Sequence, residues 1–354
     1  MAMAAVTLSQ VAHAAGVSQA TASRVLNGST RVPGEDVAER VRSTAERLGY
    51  VANAQAQALA RSSTRLLGLV VQDIADPYFS SIARGVQAAS RELQRQVLLA
   101  SSERDLTLQL ESVLALIAHR ADAIIMAGSL WDEESVGNLR HALSGYADNG
   151  GRVATIGQPI GVGRTVEPAN SDGAAELADA LVDAGHSRFA IICGPAEMRT
   201  SKDRVRGFTA SLTRHGFRPE AIVSADFSRD GGFDAAGRLI EETNLPGSGG
   251  APLCVFAASD VMAIGAIAGW RARGIGVPRD VAVAGFDDIP TLRDHTPHLT
   301  SVELPLEWMG RQAARLALSG SESGAANDVI GEAAVRLRES TSLAVNSGRH
   351  GRRE

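Results

Sequence analysis

Lysine and cysteine are both scarce in this chain, and neither scarcity points to chemistry. Lys202 is the one lysine among 35 basic residues in a sequence of 354. We interpret this bias as genomic composition rather than mechanism. The two cysteines, Cys193 and Cys254, lie in apolar runs typical of strands. Buried thiols are therefore expected, rather than a disulfide or a pair of metal ligands.

Further absences exclude several classes of protein. No apolar run is long enough to span a bilayer, and the N-terminus has no secretory signal pattern. A cytoplasmic protein is therefore expected. The polar tail, residues 346–354, is expected to be disordered, and without leucine heptads it does not predict a coiled coil.

Motifs of the common enzyme classes are also missing. The sequence has no GxSxG, P-loop, HExxH or GxGxxG motif. His295 and His298 make a weak metal pair, because Pro297 between them indicates a loop. Asp287 and Asp288 follow a strand-like run, and we interpret them as acceptors for ligand hydroxyl groups rather than as catalytic carboxylates. We expect no enzymatic activity, no metal and no cofactor.

Charge is unevenly distributed along the chain. The net charge is −5, yet residues 1–65 hold seven arginines against four acidic residues. A basic N-terminal segment on an acidic body is typical of a DNA-binding protein whose body stays away from the phosphates.

The basic segment contains two short helical patterns joined by a glycine. The first runs from Leu8 to Ala15, Gly16 breaks it, and the second occupies residues 17–27. Ser18 stands at the N-cap position of the second helix. Such a pair is a helix-turn-helix, whose second helix enters the DNA major groove. Spacing alone leaves an ordinary α-hairpin with a polar face as the alternative.

A third helix is predicted over residues 33–49, and an Ala-rich helix with almost no core of its own follows, up to Arg61. From Leu66 onward, strand-like runs alternate with helical patterns. This alternation predicts parallel sheets with helices on both faces, and there are too many strands for one compact sheet. We therefore predict an α/β body of two Rossmann-like lobes, with a ligand at the carboxyl ends of the strands.

Motifs spread along the chain carry a resemblance to a known family. They are the segment 17–27, Leu48-Gly49-Tyr50, Leu66–Val71, Asp76–Phe79, Ala184-Gly185-His186, Arg204–Phe208, Ser259–Ala266, Gly285–Pro290 and Arg338–Thr341. With this order and spacing, the chain resembles the lac repressor/galactose repressor family of bacterial transcription regulators from residue 7 to about residue 342.

The resemblance implies an all-α helix-turn-helix head and a periplasmic-binding-protein-like core. The head is residues 1–50, and the hinge helix and linker are residues 51–64. The core, residues 65–345, has the chain crossing between lobes near Glu167, Leu304 and Glu332. Lobe 1 is then about 65–166 and 305–331, and lobe 2 about 167–304 and 332–345.

The resemblance also implies roles for residues of the head. Those that read bases are Gln19, Ala20 and Arg24. Those that contact phosphates are Thr7, Ser18, Thr21, Ser23 and Asn27. Leu59 is implied to be a wedge in the minor groove at the operator centre. Ala52 departs from the family, which often has proline there.

The effector-binding residues implied by the resemblance are Asp73, Tyr78, Phe79, Trp131, Lys202, Phe227, Ser259 and Asp287. Lys202 takes the place of an effector-binding arginine, and Arg204 is assigned to structure. Aromatic faces with a carboxylate and a cation suit a sugar or another polyol. Gly157-Gln158 and Leu304 depart from the family pattern, so a phosphorylated sugar or a purine stays open.

We therefore expect a homodimeric transcription regulator, a repressor, that binds a near-palindromic operator in double-stranded DNA and is controlled by a small effector, a sugar or sugar derivative. Two alternatives come from other classes. One is a solute-binding protein of the same core fold, and the other is an enzyme on a doubly wound fold.

Overall fold

In a computed structural model of the chain, the structure describes residues 6–27, 33–51, 63–129, 133–243, 245, 251–318 and 329–343. The chain divides into two compact units, residues 1–66 and 67–354. Trp131 and Leu59, together with most of the predicted hinge helix, lie outside the described residues. None of the described helices is both long and apolar enough to cross a membrane.

The N-terminal unit is a three-helix head. Its helices are α1 (Leu8–Ala14), α2 (Gln19–Asn27) and α3 (Glu35–Leu48). Gly16, with φ +66°, makes the sharp turn between α1 and α2 in a conformation that favours glycine. The small core shared by the helices consists of Val11, Ala12, Ala15, Ala22, Val41 and Ala45. The predicted helix-turn-helix geometry is therefore present.

The first lobe of the core is a six-stranded sheet in the order β11-β5-β4-β3-β1-β2. Its strands are β1 (Leu66–Val71), β2 (Gln96–Ser101), β3 (Ala123–Gly128), β4 (Arg152–Gly157), β5 (Arg164–Pro168) and β11 (Val329–Gly331). Its helices are α4 (Pro77–Glu92), α5 (Leu106–Ala118), α6 (Glu133–Asp148) and α11 (Leu306–Leu318). Apolar runs such as Leu66–Val71 are almost wholly buried, as expected of a strand covered on both faces.

The second lobe is a four-stranded parallel sheet in the order β7-β6-β8-β9. Its strands are β6 (Phe189–Cys193), β7 (Pro219–Ser224), β8 (Leu253–Ala257) and β9 (Val281–Ala284). Its helices are α7 (Asn170–Asp183), α8 (Arg199–Arg214), α9 (Arg229–Glu242) and α10 (Asp260–Ala272). Two short 3-10 helices follow, Pro290–Asp294 and Glu339–Thr341.

The chain passes between the lobes at three places. They are the connections from β5 to α7, from β10 (Ser301–Glu303) to α11, and from β11 to β12 (Ala334–Arg336). Strands β10 and β12 pair antiparallel with each other. This arrangement confirms the predicted fold class, an all-α head with two Rossmann-like lobes of the periplasmic-binding-protein type. The helices α6 and α11 and the strands β5, β10, β11 and β12 were absent from the sequence-based prediction.

Glycines bring the paired helices of the core into close contact. A Cβ atom on Gly85 of α4 would lie 2.0 Å from the carbonyl oxygen of Glu307 in α11. A Cβ on Gly310 of α11 would lie 2.1 Å from the carbonyl oxygen of Ile82. The helices α9 and α10 are in similarly close contact, since a Cβ on Gly265 of α10 would lie 1.9 Å from the carbonyl oxygen of Arg229 in α9. These crossings depend on the missing side chain.

Candidate functional site

A small cavity lies between the two lobes, at the carboxyl ends of strands from both sheets. Its lining residues are Gln72, Asp76, Tyr78, Phe79, Arg104, Gly128, Ser129, Gly157, Met198, Thr200, Arg204, Phe227 and Asp287. Its volume is about 30 Å³, whereas sites for small organic ligands usually span about 300–1,000 Å³. This small cavity alone therefore does not hold a ligand of sugar size.

Arg204 of α8 supplies the central cation of this cavity. Its side chain is only 2% exposed. Nε donates to Oδ1 of Asn170 (2.8 Å), Nη1 to the carbonyl of Ala258 (2.7 Å) and Nη2 to Oδ1 of Asp287 (2.7 Å). The guanidinium also lies 3.9 Å from the ring centroid of Phe286. Three partners therefore fix a buried charge that would otherwise be costly.

Asp287 faces Arg204 from a strained turn. Its φ is +112° and that of Asp288 is +51°, a region where non-glycine residues are uncommon. The Asp287 N–H donates to the carbonyl of Val302 (2.8 Å), which ties the turn to β10. The surrounding structure thus aims the Asp287 carboxylate into the cavity.

Arg338 and Ser340, near the C-terminus, also hold this turn in place through hydrogen bonds. Nη1 and Nη2 of Arg338 donate to the two carboxylate oxygens of Asp288, at 2.6 and 2.8 Å. The Ser340 hydroxyl donates to the carbonyl of Val283 in β9 (2.6 Å). These contacts give the Arg338–Thr341 and Gly285–Pro290 motifs one shared structural role, the placement of Asp287.

Two buried carboxylates, those of Asp287 and Asp260, lie at this turn and have raised pKa values. Burial raises the pKa of Asp287 from its ordinary 3.8 to about 7, although Arg204 opposes this shift. Burial raises the pKa of Asp260 well above its ordinary value, and the nearby Asp287 adds to the effect. Asp260 accepts hydrogen bonds from the Ser301 hydroxyl (2.6 Å) and from the Ile289 N–H (2.9 Å).

We expect the pH dependence of stability to report on Asp287. Its folded pKa lies above its unfolded value, so the stabilising contribution is complete below about pH 4 and is lost as the pH rises through 7. Between pH 5 and pH 8 the loss should be on the order of 2 kcal/mol. Urea unfolding of the wild type and of Asp287→Asn at both pH values measures it. The variant should lose less stability over this interval, and equal losses would contradict the shifted pKa.

Aromatic rings form one wall of the cavity. Tyr78 and Phe79, at the start of α4, meet edge to face with ring centroids 5.0 Å apart. Phe227 enters from lobe 2, where Gly194 leaves room for its ring. Aromatic faces beside a carboxylate and a guanidinium suit a polyol, because apolar C–H groups can stack while hydroxyl groups bond at the polar edge.

Direct hydrogen bonds join the lobes beside the cavity. The Gln158 side chain donates to the Thr200 hydroxyl (3.1 Å), and the Thr200 N–H donates to the Ser129 hydroxyl (3.1 Å). Gln158 and Ser129 belong to lobe 1 and Thr200 to lobe 2. These contacts stabilise this arrangement of the lobes, and a ligand that parts the lobes must replace them.

The structure brings only part of the predicted effector set together. Tyr78, Phe79, Phe227 and Asp287 line the cavity. Asp73 lines an adjoining cavity of about 520 Å³ instead.

Lys202 and Ser259 do not line the cavity. Lys202 lies exposed on α8, whereas Arg204 of the same helix lines the cavity. Ser259 is buried as the N-cap of α10, where its hydroxyl accepts from the Met262 N–H (3.4 Å), and it lines neither cavity.

Two arginines line the cavity that the sequence analysis did not include among the effector-binding residues, and each had a sequence signal. On α8, Ser201, Arg204, Phe208 and Ser211 recur at helical spacing and are all buried. A cation on this inward stripe indicates a buried partner, whereas Lys202 falls off the stripe. Arg104 lies three residues after the end of β2, and residues at the carboxyl end of a parallel strand approach the cleft.

The head presents its predicted base-reading residues outward. Gln19, Ala20 and Arg24 are exposed on α2. Ser18 accepts a hydrogen bond from the Thr21 N–H (3.1 Å), as the N-cap prediction requires. Thr7 caps α1, where its hydroxyl accepts from the Gln10 N–H (3.4 Å).

Asn27 and Ser23, both predicted phosphate contacts, are hydrogen bonded to each other on α2. The Asn27 amide donates to the Ser23 hydroxyl at 2.9 Å. Capping and phosphate contact are compatible at such positions, since a hydroxyl group has more than one bonding direction.

Comparison with known proteins decides the family. Residues 7–53 match the model of bacterial regulatory proteins of the lacI family, and residues 178–341 match a periplasmic binding protein-like domain. The transcriptional regulator CelR of Thermobifida fusca is 34% identical over 327 residues, covering 88% of this chain and 90% of CelR. This chain belongs to the lacI family. It is a DNA-binding transcriptional regulator.

Solved structures of lacI-family proteins agree with this assignment. A complex of the regulator CelR with cellobiose is 30% identical, with a TM-score of 0.68, and covers 95% of this chain and 99% of that chain. A lac repressor dimer bound to operator and an anti-inducer is 24% identical with a TM-score of 0.80, which shows the shared fold. CelR and GalS of Salmonella typhimurium, which is 32% identical over 319 residues, are both named as transcriptional regulators.

Proposed function

We propose that this lacI-family chain is a homodimeric repressor whose affinity for a near-palindromic operator is set by a sugar or sugar derivative bound between the lobes of its core. The observation that carries the effector assignment is the buried Arg204–Asp287 pair at the carboxyl ends of the strands, facing Tyr78 and Phe227. Among the described residues, the second carboxylate oxygen of Asp287 and the remaining N–H groups of Arg204 have no hydrogen-bond partner. They offer an acceptor beside donors, the pattern that neighbouring hydroxyl groups complement.

The head supports sequence-specific reading. Arg24 is exposed on the outer face of α2, where a guanidinium can bind guanine O6 and N7 in bidentate fashion and contribute about 1–3 kcal/mol of discrimination. Gln19 and Ala20 precede Arg24 by about one helical turn, and their amide and methyl groups discriminate little between bases. We infer that Leu59 adds specificity by deforming the operator centre, where its side chain would enter the minor groove.

A dimer accounts for apolar residues on the edges of both sheets. Leu98 and Leu99 on edge strand β2, with Leu114 on the neighbouring α5, are 38–49% exposed. On edge strand β7 of the other lobe, Ile222 is 49% exposed. Exposed apolar edge strands invite pairing with another chain, and a second copy would cover them.

Two other classes fit less well. A solute-binding protein of the same core fold has no use for the three-helix head with its outward arginine. An enzyme would need a nucleophile or an acid–base pair in the cavity, and Asp287 is instead held by Arg204. We infer a regulator without enzymatic activity that acts in the cytoplasm, where operator DNA is.

Removing the head tests the separation of roles. We expect a chain that begins at Arg65 to lose operator binding and to keep effector binding. The operator is first selected from random duplex DNA with the full-length protein. Its affinity for both chains is then measured by fluorescence anisotropy, and effector binding by thermal shift, because a ligand of the native state raises the melting temperature. If the shorter chain lost both functions, or if the selected sites lacked two-fold symmetry, the proposal would fail.

A further inference from the structure

Arg104 reaches the cavity from lobe 1, opposite Arg204 of lobe 2. It follows the carboxyl end of β2, and its N–H donates to the carbonyl of Gln72 (3.0 Å), next to β1. Its own φ is +62° and that of Glu103 is +51°, so two consecutive residues hold an uncommon conformation. The guanidinium lines both the small cavity and the adjoining one of about 520 Å³.

The two arginines leave donors unused within the described part of the chain. Arg204 uses three of its N–H groups on Asn170, Ala258 and Asp287. The Arg104 side chain donates one hydrogen bond, from Nη2 to Oδ2 of Asp76 (3.2 Å), and the same nitrogen forms an ion pair with Oδ2 of Asp73 (3.8 Å). A guanidinium carries five N–H groups, so several remain for a ligand. Oδ1 of Asp76 accepts from the Tyr78 N–H (3.0 Å).

The N–H groups that the two arginines leave unused favour one ligand chemistry. A ligand hydroxyl group can accept hydrogen bonds from the arginines, but it also carries a donor of its own, the O–H, which needs a further acceptor. A carboxylate or a phosphate brings acceptors alone, and its bonds to arginine are charge-assisted and bidentate.

The start of α8 adds to the same polarity. This 16-residue helix begins at Arg199, and its N-cap, Met198, makes no side-chain hydrogen bond to the first turn. Met198 and Thr200 line the small cavity, so the positive end of the helix dipole lies beside the two arginines. Burial also raises the pKa of Asp287 to about 7, which weakens the negative charge beside Arg204 near neutral pH.

We propose that the effector is an anionic sugar whose carboxylate or phosphate binds between Arg104 and Arg204, with its hydroxyl groups toward Asp287. The inference rests on the proposed function, since it takes the cavity as the effector site. Arg104 then determines specificity, and it selects an acidic ligand over the neutral sugar of the same ring.

Matched ligands on the full-length protein test this inference. The probes are glucose, glucuronate and glucose 6-phosphate, with the corresponding galactose series, measured by thermal shift and by calorimetry. We expect the acidic members to bind at least about tenfold more tightly than their neutral parents. Their affinity should also fall with added salt. The ranking of uronates against phosphates identifies which anion the site takes.

Variants separate charge from folding. Arg104→Gln should weaken binding of the acidic sugar about tenfold or more and binding of the neutral parent less than threefold. Arg104→Lys keeps the charge, loses the bidentate fork and should fall between wild type and Arg104→Gln. Arg206→Gln removes an exposed arginine from the outer side of α8, where it pairs with Asp203, and should leave both affinities unchanged.

The outcomes distinguish this inference from the function on which it rests. Neutral sugars that bind as tightly as acidic ones, or an equal loss of both in Arg104→Gln, would overturn the anionic assignment and leave a sugar-controlled repressor intact. If neither kind of sugar raised the melting temperature, the carbohydrate effector itself would be wrong. Operator binding by the full-length chain would then still stand on its own measurement.

Discussion

Arg204→Met is expected to destabilise the core by about 3–5 kcal/mol and to abolish effector binding. The substitution keeps most of the volume but removes three hydrogen bonds and leaves the Asp287 carboxylate buried without its cation. Breaking one partner of a buried pair costs far more than the pair itself contributes, because the remaining charge is stranded. Urea unfolding of the full-length protein measures the loss in free energy of unfolding, from the transition in which the core unfolds.

The pH dependence of the loss in stability provides a second, independent test of this prediction. Without Arg204 the pKa of Asp287 should rise further above 7, since the arginine is what lowers it. The unpaired Asp287 carboxylate can then become protonated, which removes the free-energy cost of a buried charge. The destabilisation should therefore be smaller at pH 5 than at pH 8.

Two further variants control for changes in packing. In the Arg204→Met background, Asp287→Asn should recover part of the loss at pH 8, because it removes the unpaired charge. Arg206→Met, two residues along the same helix but exposed, should change stability by less than about 0.5 kcal/mol. A loss in Arg204→Met that did not vary with pH would show that packing, not charge, sets its size.

The regular part of the fold was predictable because its signals are local. Buried parallel strands leave continuous apolar runs such as Leu66–Val71, and this strand begins and ends where it was predicted. The helix-turn-helix followed from Gly16 and from the apolar spacing around it. Both depend on residues near each other in the chain.

Elements stabilised by distant contacts were missed. Helix α6 contains Gly137 and Gly145, each of which weakens a helix by about 0.5–1 kcal/mol relative to alanine. The helix forms because Leu139 and Leu143 are buried against the lobe. Strand β5 lies among glycines and ends in proline, so its local signal is weak. It pairs with β4 and with β11, and β11 is more than 160 residues away in the chain.

The candidate site shows the same division. Asp287 could be predicted because it follows a strand at the carboxyl edge of a sheet. The choice between Lys202 and Arg204 depends on the rotation of α8 against its lobe, which buries Arg204 and leaves Lys202 exposed. The resemblance implies Lys202 as the effector-binding cation, and the structure places Arg204 of the same helix, not Lys202, at the cavity.

A single methyl group should have opposite effects at two glycines of lobe 1. Gly310→Ala would place its Cβ 2.1 Å from the carbonyl oxygen of Ile82 in α4. A backbone atom inside a helix cannot rotate away, so the helices must separate and lose packing along their length. We expect a loss of about 3 kcal/mol, at the upper end of overpacking costs. Gly137→Ala meets nothing within 4 Å and should gain about 0.5–1 kcal/mol through lower chain entropy in the unfolded state.

Urea unfolding followed by circular dichroism measures both changes on the full-length chain. Gly85→Ala should match Gly310→Ala, because its Cβ would lie 2.0 Å from the carbonyl oxygen of Glu307 across the same crossing. The double variant should then lose less than the two single losses combined, since one displacement of the helices relieves both collisions. Strictly additive losses would mean that each glycine is confined by its own surroundings rather than by a shared helix crossing. A neutral Gly310→Ala would mean that α11 is free to shift, and the close approach of α4 and α11 would then contribute little to the stability of the core.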